Sequence, residues 1–195
     1  TKLFTVSQET QAQLQKNLDA VTAFAARHPG HVTFLLAPSA SVIYPEMLPA
    51  GAPMADEDAM LDDIFTQVGA AAQVIDLRPV FTAAKDEYLY FKTDHHWTPQ
   101  GAYLAYQQFC ALKGLTPFDA AAHETATVED FYGTHYSAAR RWDVQPDHIT
   151  YYPLDNPMTV YQIDGEGAYT PLYTGPHHKL RYPGFIYPQC QCDIS

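Results

Sequence analysis

Amphipathic helical patterns and short apolar runs alternate along the first half of the chain. Between Gln8 and Arg27, apolar side chains recur every three or four residues, which predicts an amphipathic helix. Residues 56–68 repeat this spacing after an acidic first turn, which favours a second helix because carboxylates stabilise the positive end of a helix. The first helical pattern is followed by a short apolar run at 32–36 and the second by Val-Ile-Asp-Leu at 74–77, and each predicts a short strand.

A third helix is predicted over residues 99–113. Thr98 can cap its N-terminus, Pro99 suits the first helical position, and Gly114 is placed to end it. The spacing predicts a core-facing stripe of five side chains: Ala102, Ala105, Tyr106, Phe109 and Leu112. Because two helix-then-strand units precede this helix, the pattern favours an α/β fold with a parallel sheet flanked by helices.

The composition changes after residue 116. Residues 117–195 are rich in tyrosine, proline and histidine and carry little helical periodicity. Two runs, 149–152 and 158–163, are typical of strands, and we predict that they form an antiparallel pair. Beyond Gly165 no periodicity predicts an element. We therefore expect an α/β core over residues 1–116 and a strand- and loop-rich continuation of the same domain over 117–195.

Charge and length limit the possible functions. A chain of 195 residues is long enough to fold as one domain around a single core. Its net charge of −11 argues against a surface that binds nucleic acid or anionic lipid, and no run of about 18 apolar residues predicts a membrane span. The chain begins with Thr1 rather than methionine, so a missing signal peptide does not indicate its compartment.

The three cysteines leave the redox compartment open. Cys110 falls within the third helical pattern, where a buried thiol is expected, and Cys190 and Cys192 are too close for an ordinary unstrained disulfide.

The strongest chemical pattern lies directly before the third helix, in Thr93-Asp94-His95-His96-Trp97. A carboxylate two residues before an imidazole can hold one ring nitrogen and leave the other to take a proton from a nucleophile. Asp94 and His96 are therefore the candidate catalytic pair. The alternative is a structural loop in which Asp94 caps backbone amides and His96 packs on Trp97. We expect His95 to point outward, since alternate positions of an extended segment share a face.

The segment 93–102, with its Asp-His-His-Trp core followed by Thr-Pro-Gln-Gly-Ala, resembles the signature of bacterial DHHW-motif proteins. These are similar to the SGNH-hydrolase-like proteins that O-acetylate alginate and related exopolysaccharides. Softer matches follow the same order at 32–44, 74–77, 131–137 and 146–149. The resemblance covers roughly residues 30–155. It implies a flavodoxin-like, SGNH-hydrolase-like α/β fold, an extracellular, periplasmic or cell-envelope location, and acyl transfer or ester hydrolysis on a polysaccharide.

The resemblance implies that Asp94 orients the base, that His96 is the general base, and that Trp97 and Gly101 are structural. It also implies a nucleophilic serine well after the histidine, on an Asp-Ser pair that follows a late strand. This chain has no such pair, so we expect a truncated chain that lacks the last elements of the fold. Its serines are Ser7, Ser39, Ser41, Ser137 and Ser195, of which Ser39, Ser41 and Ser137 are weak substitutes for the nucleophile.

Metal catalysis is a competing interpretation, because Asp94, His95 and His96 carry metal-type ligands and His177, His178, Cys190 and Cys192 add more. Adjacent histidines in an extended chain point apart, however, and no ligand set recurs at the spacing of a zinc site. We expect neither a metal nor another cofactor. The tyrosines of residues 151–187 could stack on sugars, but packing within β-structure is the interpretation we favour.

The sequence thus predicts an SGNH-hydrolase-like protein that transfers an O-acyl group on carbohydrate or hydrolyses such an ester. Because the nucleophile is not identified, its status as an enzyme stays open. The alternative is a non-catalytic carbohydrate-binding or assembly protein on the same scaffold.

Overall fold

The computed structural model describes residues 6–154, 157–163 and 169–176. The chain divides into two units, one made of Thr1–Tyr90 and His96–Pro117, the other of Phe91–His95 and Phe118–Ser195. In the described ranges the helices are α1 Gln8–Arg27, α2 Ala40–Ile43, α3 Glu57–Gly69, α4 Arg78–Ala83, α5 Pro99–Lys113 and α6 Thr134–Ala139, with 3₁₀ turns at Pro45–Met47 and Ala120–Ala122. The strands are β1 Thr33–Leu36, β2 Gln73–Asp76, β3 Ala126–Phe131, β4 Asp147–Tyr151, β5 Pro157–Ile163 and β6 Tyr169–Pro176.

The three long helices α1, α3 and α5 confirm the helices predicted from the sequence periodicity. The side chain of Ser7 accepts a hydrogen bond from the amide of Thr10 at the start of α1, and Asp56 accepts one from the amide of Ala59 at the start of α3. Such caps satisfy amides that have no partner inside the helix, and each is worth about 1 kcal/mol. Within the described ranges, no helix is both long and apolar enough to cross a bilayer.

The sheet of the first unit consists of β1 and β2, which run parallel with Thr33 opposite Gln73 and Leu36 opposite Asp76. Alternate side chains of these strands point to opposite faces of the sheet. On one face Phe34 and Leu36 pack with a cluster that α1 and α3 supply, made of Leu18, Ile64 and Val68. The other face packs with α2, α4 and α5 through Ile43, Ile75, Leu77, Phe81, Leu89, Tyr90 and Ala105. Helices therefore cover both faces, as predicted for an α/β fold.

Arg78 ties the end of β2 to α3. The sequence suggested only that the chain leaves the strand here, whereas α4 begins at this residue. The Arg78 guanidinium is paired with Asp76 at 2.7 Å, Asp62 at 2.6 Å and Asp58 at 3.1 Å. Burial raises the pKa of Asp76, but hydrogen bonds from Arg78 outweigh this effect, so that the pKa lies below its ordinary value.

The face of α5 that is buried differs from the predicted stripe. Ala105 is buried, but Tyr106, Phe109 and Leu112 are exposed to 40%, 36% and 39%, and the buried thiol in this helix is Cys110. The cause lies in Gly101, because a methyl group there would lie 2.8 Å from the carbonyl oxygen of Leu89. This close backbone approach fixes the rotation of α5, a constraint that apolar spacing does not express.

In the second unit β3 pairs antiparallel with β4, and β5 pairs antiparallel with β6. The predicted pairing of 149–152 with 158–163 is therefore wrong, because each run has a different partner. Strand β3 was not predicted because its alternation of apolar and polar residues is short: it covers only Ala126 to Glu129 and is interrupted by a register shift before Phe131. Strand β6 lies beyond residue 165, where the sequence predicted no element.

We expect Gly101→Ala to destabilise the fold by on the order of 1–3 kcal/mol, the range for overpacking in a tight contact. The added methyl group would meet the Leu89 carbonyl at 2.8 Å and the Cβ of Trp97 at 3.1 Å. The free energy of unfolding, measured by urea titration, checks this expectation.

Gly69→Ala is the matched control, because a methyl group at this last residue of α3 would meet only Val74, at 3.8 Å. Alanine is the better helix former, so this change should be neutral or stabilising. Equal effects of the two substitutions would contradict the close-contact explanation.

Candidate active site

The predicted motif follows a firmly packed segment of the first unit. Tyr90 forms an isolated antiparallel bridge with Trp97, and the Tyr90 hydroxyl donates a 2.6 Å hydrogen bond to the carbonyl of Pro38. Burial, with a smaller contribution from Tyr44, raises the pKa of Tyr90, so that its phenol remains a donor. Trp97 packs against this core, with its ring 6.1 Å from that of Phe81. Trp97 thus occupies a structural position.

Asp94 lies in the second unit and is 3% exposed. Its Oδ2 accepts hydrogen bonds from the amide and the hydroxyl of Thr134, at 2.7 Å and 3.0 Å. Thr134 is the first residue of α6. One part of the structural alternative is therefore observed, since Asp94 does cap a backbone amide. The same bonds also hold the carboxylate in one orientation, which a catalytic acid–base pair requires.

His95 is the exposed neighbour of this carboxylate, with 55% of its side chain accessible. Its Nδ1 lies 2.7 Å from the Thr134 hydroxyl and 3.8 Å from Oδ1 of Asp94. Because the single hydroxyl proton of Thr134 is directed to Asp94, Nδ1 of His95 must be the donor to Thr134. Thr134 therefore relays a hydrogen bond from His95 to Asp94.

Gly133 lies directly against the Asp94 side chain. A methyl group at Gly133 would come within 2.7 Å of the Asp94 carboxyl carbon, and closer still to its Cβ and Oδ2. The backbone of Gly133 is in an ordinary extended conformation, with φ of −91°. Glycine is needed here for space rather than for conformational freedom.

Thr93, directly before Asp94, is hydrogen-bonded to Asp147. Asp147, at the start of β4, is 3% exposed, and Thr93 is 1% exposed. One carboxylate oxygen of Asp147 accepts the amide of Lys92 at 2.9 Å, and the other accepts the amide and hydroxyl of Thr93, at 2.7 Å and 2.5 Å. The Thr93 hydroxyl in turn accepts the amide of Gly133 at 3.0 Å. Buried polar groups are thus paired, as stability requires.

His96, the other predicted catalytic residue, is exposed. The motif therefore combines two buried residues, Thr93 and Asp94, with two exposed imidazoles, His95 and His96. An exposed imidazole next to an immobilised carboxylate is suited to proton transfer with a bound substrate.

The candidate serines in the described residues have other hydrogen-bond partners. Ser39 and Ser41 lie just past β1, with their hydroxyl oxygens 2.6 Å apart, and both hydroxyls donate to the carboxylate of Glu57. Ser137 donates to the carbonyl of Gly133 at 3.1 Å, and Ser7 caps α1. No hydrogen bond between a histidine and one of these four hydroxyls is found in the part of the chain that the structure describes. Ser195 lies outside the described residues.

Metal ligation by Asp94, His95 and His96 is sterically conceivable, since these consecutive side chains offer neighbouring ligand atoms. However, Oδ2 of Asp94 already accepts two hydrogen bonds, and Nδ1 of His95 is directed to Thr134. His177, His178, Cys190 and Cys192 lie outside the described residues, as do Tyr182 and Tyr187.

Sequence reasoning missed the residues that hold the motif in place. Gly133, Thr134 and Asp147 fall in the segments that resemble the DHHW proteins, but no spacing assigned them a role. They lie 39 to 55 positions from their partners in the motif. Only a three-dimensional pairing, or an alignment of relatives, could have shown them.

Comparisons with known proteins identify the family and the fold. The family profile described as "SGNH hydrolase-like domain, acetyltransferase AlgX" matches residues 1–146. No protein of curated function matches significantly.

Similar solved structures include a DHHW family protein from Eubacterium siraeum, with 25% identity and a TM-score of 0.63 over 82% of this chain and 52% of that one. The O-acetyltransferase domain of Pseudomonas putida AlgJ has 21% identity and a TM-score of 0.56 over 75% of this chain and 58% of that one. Bacillus cereus PatB1 has 20% identity and a TM-score of 0.65 over 88% of this chain and 61% of that one. The chain spans between half and two thirds of the length of these proteins, which show the SGNH-hydrolase-like fold.

We expect Gly133→Ala to displace Asp94 and to break its hydrogen bonds to Thr134, because the methyl group and the carboxylate cannot occupy the same space. Exchange of the Thr134 amide, followed by NMR, should accelerate at least about tenfold, the equivalent of roughly 1.4 kcal/mol.

Ser137→Ala is a control in the same helix, because it removes a hydrogen bond to Gly133 without approaching Asp94. Unchanged exchange at Thr134 in Gly133→Ala would show that Asp94 does not depend on this contact.

Proposed function

Because this chain belongs to the family described as "SGNH hydrolase-like domain, acetyltransferase AlgX", we propose that it takes part in O-acyl transfer on carbohydrate. The observation that carries the proposal is the buried Asp94, fixed by Thr134 and two positions before the exposed His96. This is the spacing that the DHHW resemblance assigns to the orienting acid and the general base.

In the proposed reaction Asp94 holds one ring nitrogen of His96, and the other nitrogen takes the proton of a serine hydroxyl. The serine oxygen attacks the acyl carbonyl of a donor ester, and the donor alcohol leaves with the proton held by His96. An acyl-enzyme remains. A sugar hydroxyl then attacks the acyl-enzyme, His96 takes its proton and returns it to the serine, and the sugar ester is released. Water in place of the sugar would give ester hydrolysis.

The serine of this scheme is assigned to a position outside the described residues. Within the described ranges, Ser39 and Ser41 donate to Glu57 and Ser137 donates to a backbone carbonyl. A carboxylate is a weak base toward an alcohol, since their pKa values differ widely, so the Glu57 contact does not activate a nucleophile.

The acyl group and location are parts of the same proposal. The similarity to a domain named as an O-acetyltransferase favours acetyl as the acyl group. The resemblance to DHHW proteins favours a polysaccharide acceptor and action at the cell envelope. The acidic net charge of −11 also makes nucleic acid an unsuitable partner.

A non-catalytic role in carbohydrate binding or assembly is the second candidate. It is favoured by one observation, namely that the described serine hydroxyls are bonded to groups other than histidine. The two candidates differ in whether a reactive serine acts with His96.

We expect His96→Ala to lower hydrolysis of p-nitrophenyl acetate by the full-length protein by about 10²- to 10⁴-fold, the usual contribution of a general base. It should also suppress labelling by a fluorophosphonate, followed by intact-mass spectrometry. Folding should be retained, because His96 is exposed.

His95→Ala is the matched control, since it removes the adjacent, similarly exposed imidazole. It should retain most of the activity. The opposite ranking would assign the base to His95, and a wild-type protein with neither hydrolysis nor labelling would favour the binding role.

A further inference from the structure

We infer that Asp147 is the positioning residue for Asp94, and that it sets the geometry of the acid–base pair without touching substrate. This inference rests on the proposed function for its kinetic consequences, but the positioning itself can be measured without activity.

The first step of the argument is the environment of Asp147. A carboxylate that is 3% exposed loses most of its hydration, which is costly unless hydrogen bonds replace it. The amides of Lys92 and Thr93 and the hydroxyl of Thr93 donate hydrogen bonds to it. All three lie in the segment directly before Asp94, so the carboxylate is used to hold this segment.

The second step is that the two carboxylate oxygens of Asp147 accept hydrogen bonds from different residues. One accepts the amide of Lys92 and the other accepts the amide of Thr93, so two consecutive peptide groups are fixed in direction. Fixing both amides sets the course of the backbone into Asp94. One hydrogen bond could act as a pivot, whereas two from adjacent residues resist rotation.

The third step connects Asp147 to the opposite side of Asp94. The Thr93 hydroxyl donates to Asp147 and accepts the amide of Gly133, and Gly133 is in close contact with the Asp94 side chain. The carbonyl of Thr93 also accepts the amide of Tyr136 in α6. Asp147 therefore positions both the segment that carries Asp94 and the turn that presents Thr134 to it.

A group with a merely structural role would affect stability alone. Asp147 is hydrogen-bonded to the Thr93 hydroxyl, which in turn holds Gly133 against the Asp94 side chain. Loss of the Asp147 carboxylate should therefore move Asp94 in molecules that remain folded. The expected signature is a lower kcat with little change in KM, since substrate binding does not involve Asp147.

The test uses Asp147→Asn in the full-length protein, which keeps the side-chain shape but replaces one acceptor oxygen by an NH₂ donor. Exchange of the Thr134 amide, which reports the hydrogen bond to Asp94, is expected to accelerate at least tenfold. With p-nitrophenyl acetate, kcat per folded molecule is expected to fall at least tenfold at nearly constant KM.

Two variants of Thr93 and one distant carboxylate complete the design. Thr93→Val removes the linking hydroxyl and should reproduce the effect, whereas Thr93→Ser retains it and should restore most of the Thr134 protection. Asp76→Asn is the control, because Asp76 is also a carboxylate that accepts a backbone amide, that of Arg78. It should lower stability while leaving Thr134 exchange and kcat per folded molecule unchanged.

The outcomes separate the inference from the proposed function. Faster exchange at Thr134 in Asp147→Asn, together with a wild-type protein that lacks esterase activity, would uphold the positioning and overturn the function. Exchange that accelerates only at Lys92 and Thr93, with Thr134 and kcat unchanged, would overturn the positioning and leave the function standing. Should Asp147→Asn fail to fold, the Thr93→Val and Thr93→Ser pair decides the question by the same amide.

Discussion

The candidate site depends on the burial of one carboxylate, Asp147, beneath the motif segment. An ionised carboxylate out of water is unfavourable by several kcal/mol, and charge-assisted hydrogen bonds of about 1.5–3 kcal/mol each offset that cost only when the donors are correctly placed. The donors here are consecutive groups of the motif segment itself. The motif segment therefore needs Asp147 as its hydrogen-bond acceptor, and the buried Asp147 carboxylate needs the donors of this segment in place of water.

Asp94 is a second buried carboxylate that hydrogen bonds hold in place. It is buried and accepts the amide and hydroxyl of Thr134, so the start of a helix holds its carboxylate in one orientation. An orienting acid that is already fixed loses little entropy when the base is engaged, which is the advantage of preorganisation. Gly133 makes the arrangement possible because any side chain there would occupy the space of the carboxylate.

Periodicity and capping residues predicted the helices and strands better than they predicted how these elements pack and pair. The helices α1, α3 and α5 followed from periodicity and caps, and the α/β class followed from their order, since these features are encoded within about twenty neighbouring residues. The buried face of α5 was mispredicted because a backbone contact at Gly101 decides it. The partner of β4 was mispredicted because the apolar alternation of β3 is short and is interrupted by a register shift. Asp94 and His96 were named from their spacing together with the resemblance to DHHW proteins, whereas Asp147 acts across 54 residues and left no local pattern.

The order of buried and exposed residues in the motif has a physical explanation. Thr93 and Asp94 are buried and hydrogen-bonded within the second unit, whereas His95 and His96 are exposed. A base has to exchange protons with a substrate, so it needs solvent access, but its partner has to be shielded, because an interaction between charges weakens in water. Residues 93–96 meet both requirements, because the first two are buried and the next two are exposed. The buried pair supplies the fixed geometry, and the exposed pair supplies the imidazole that we propose as the base.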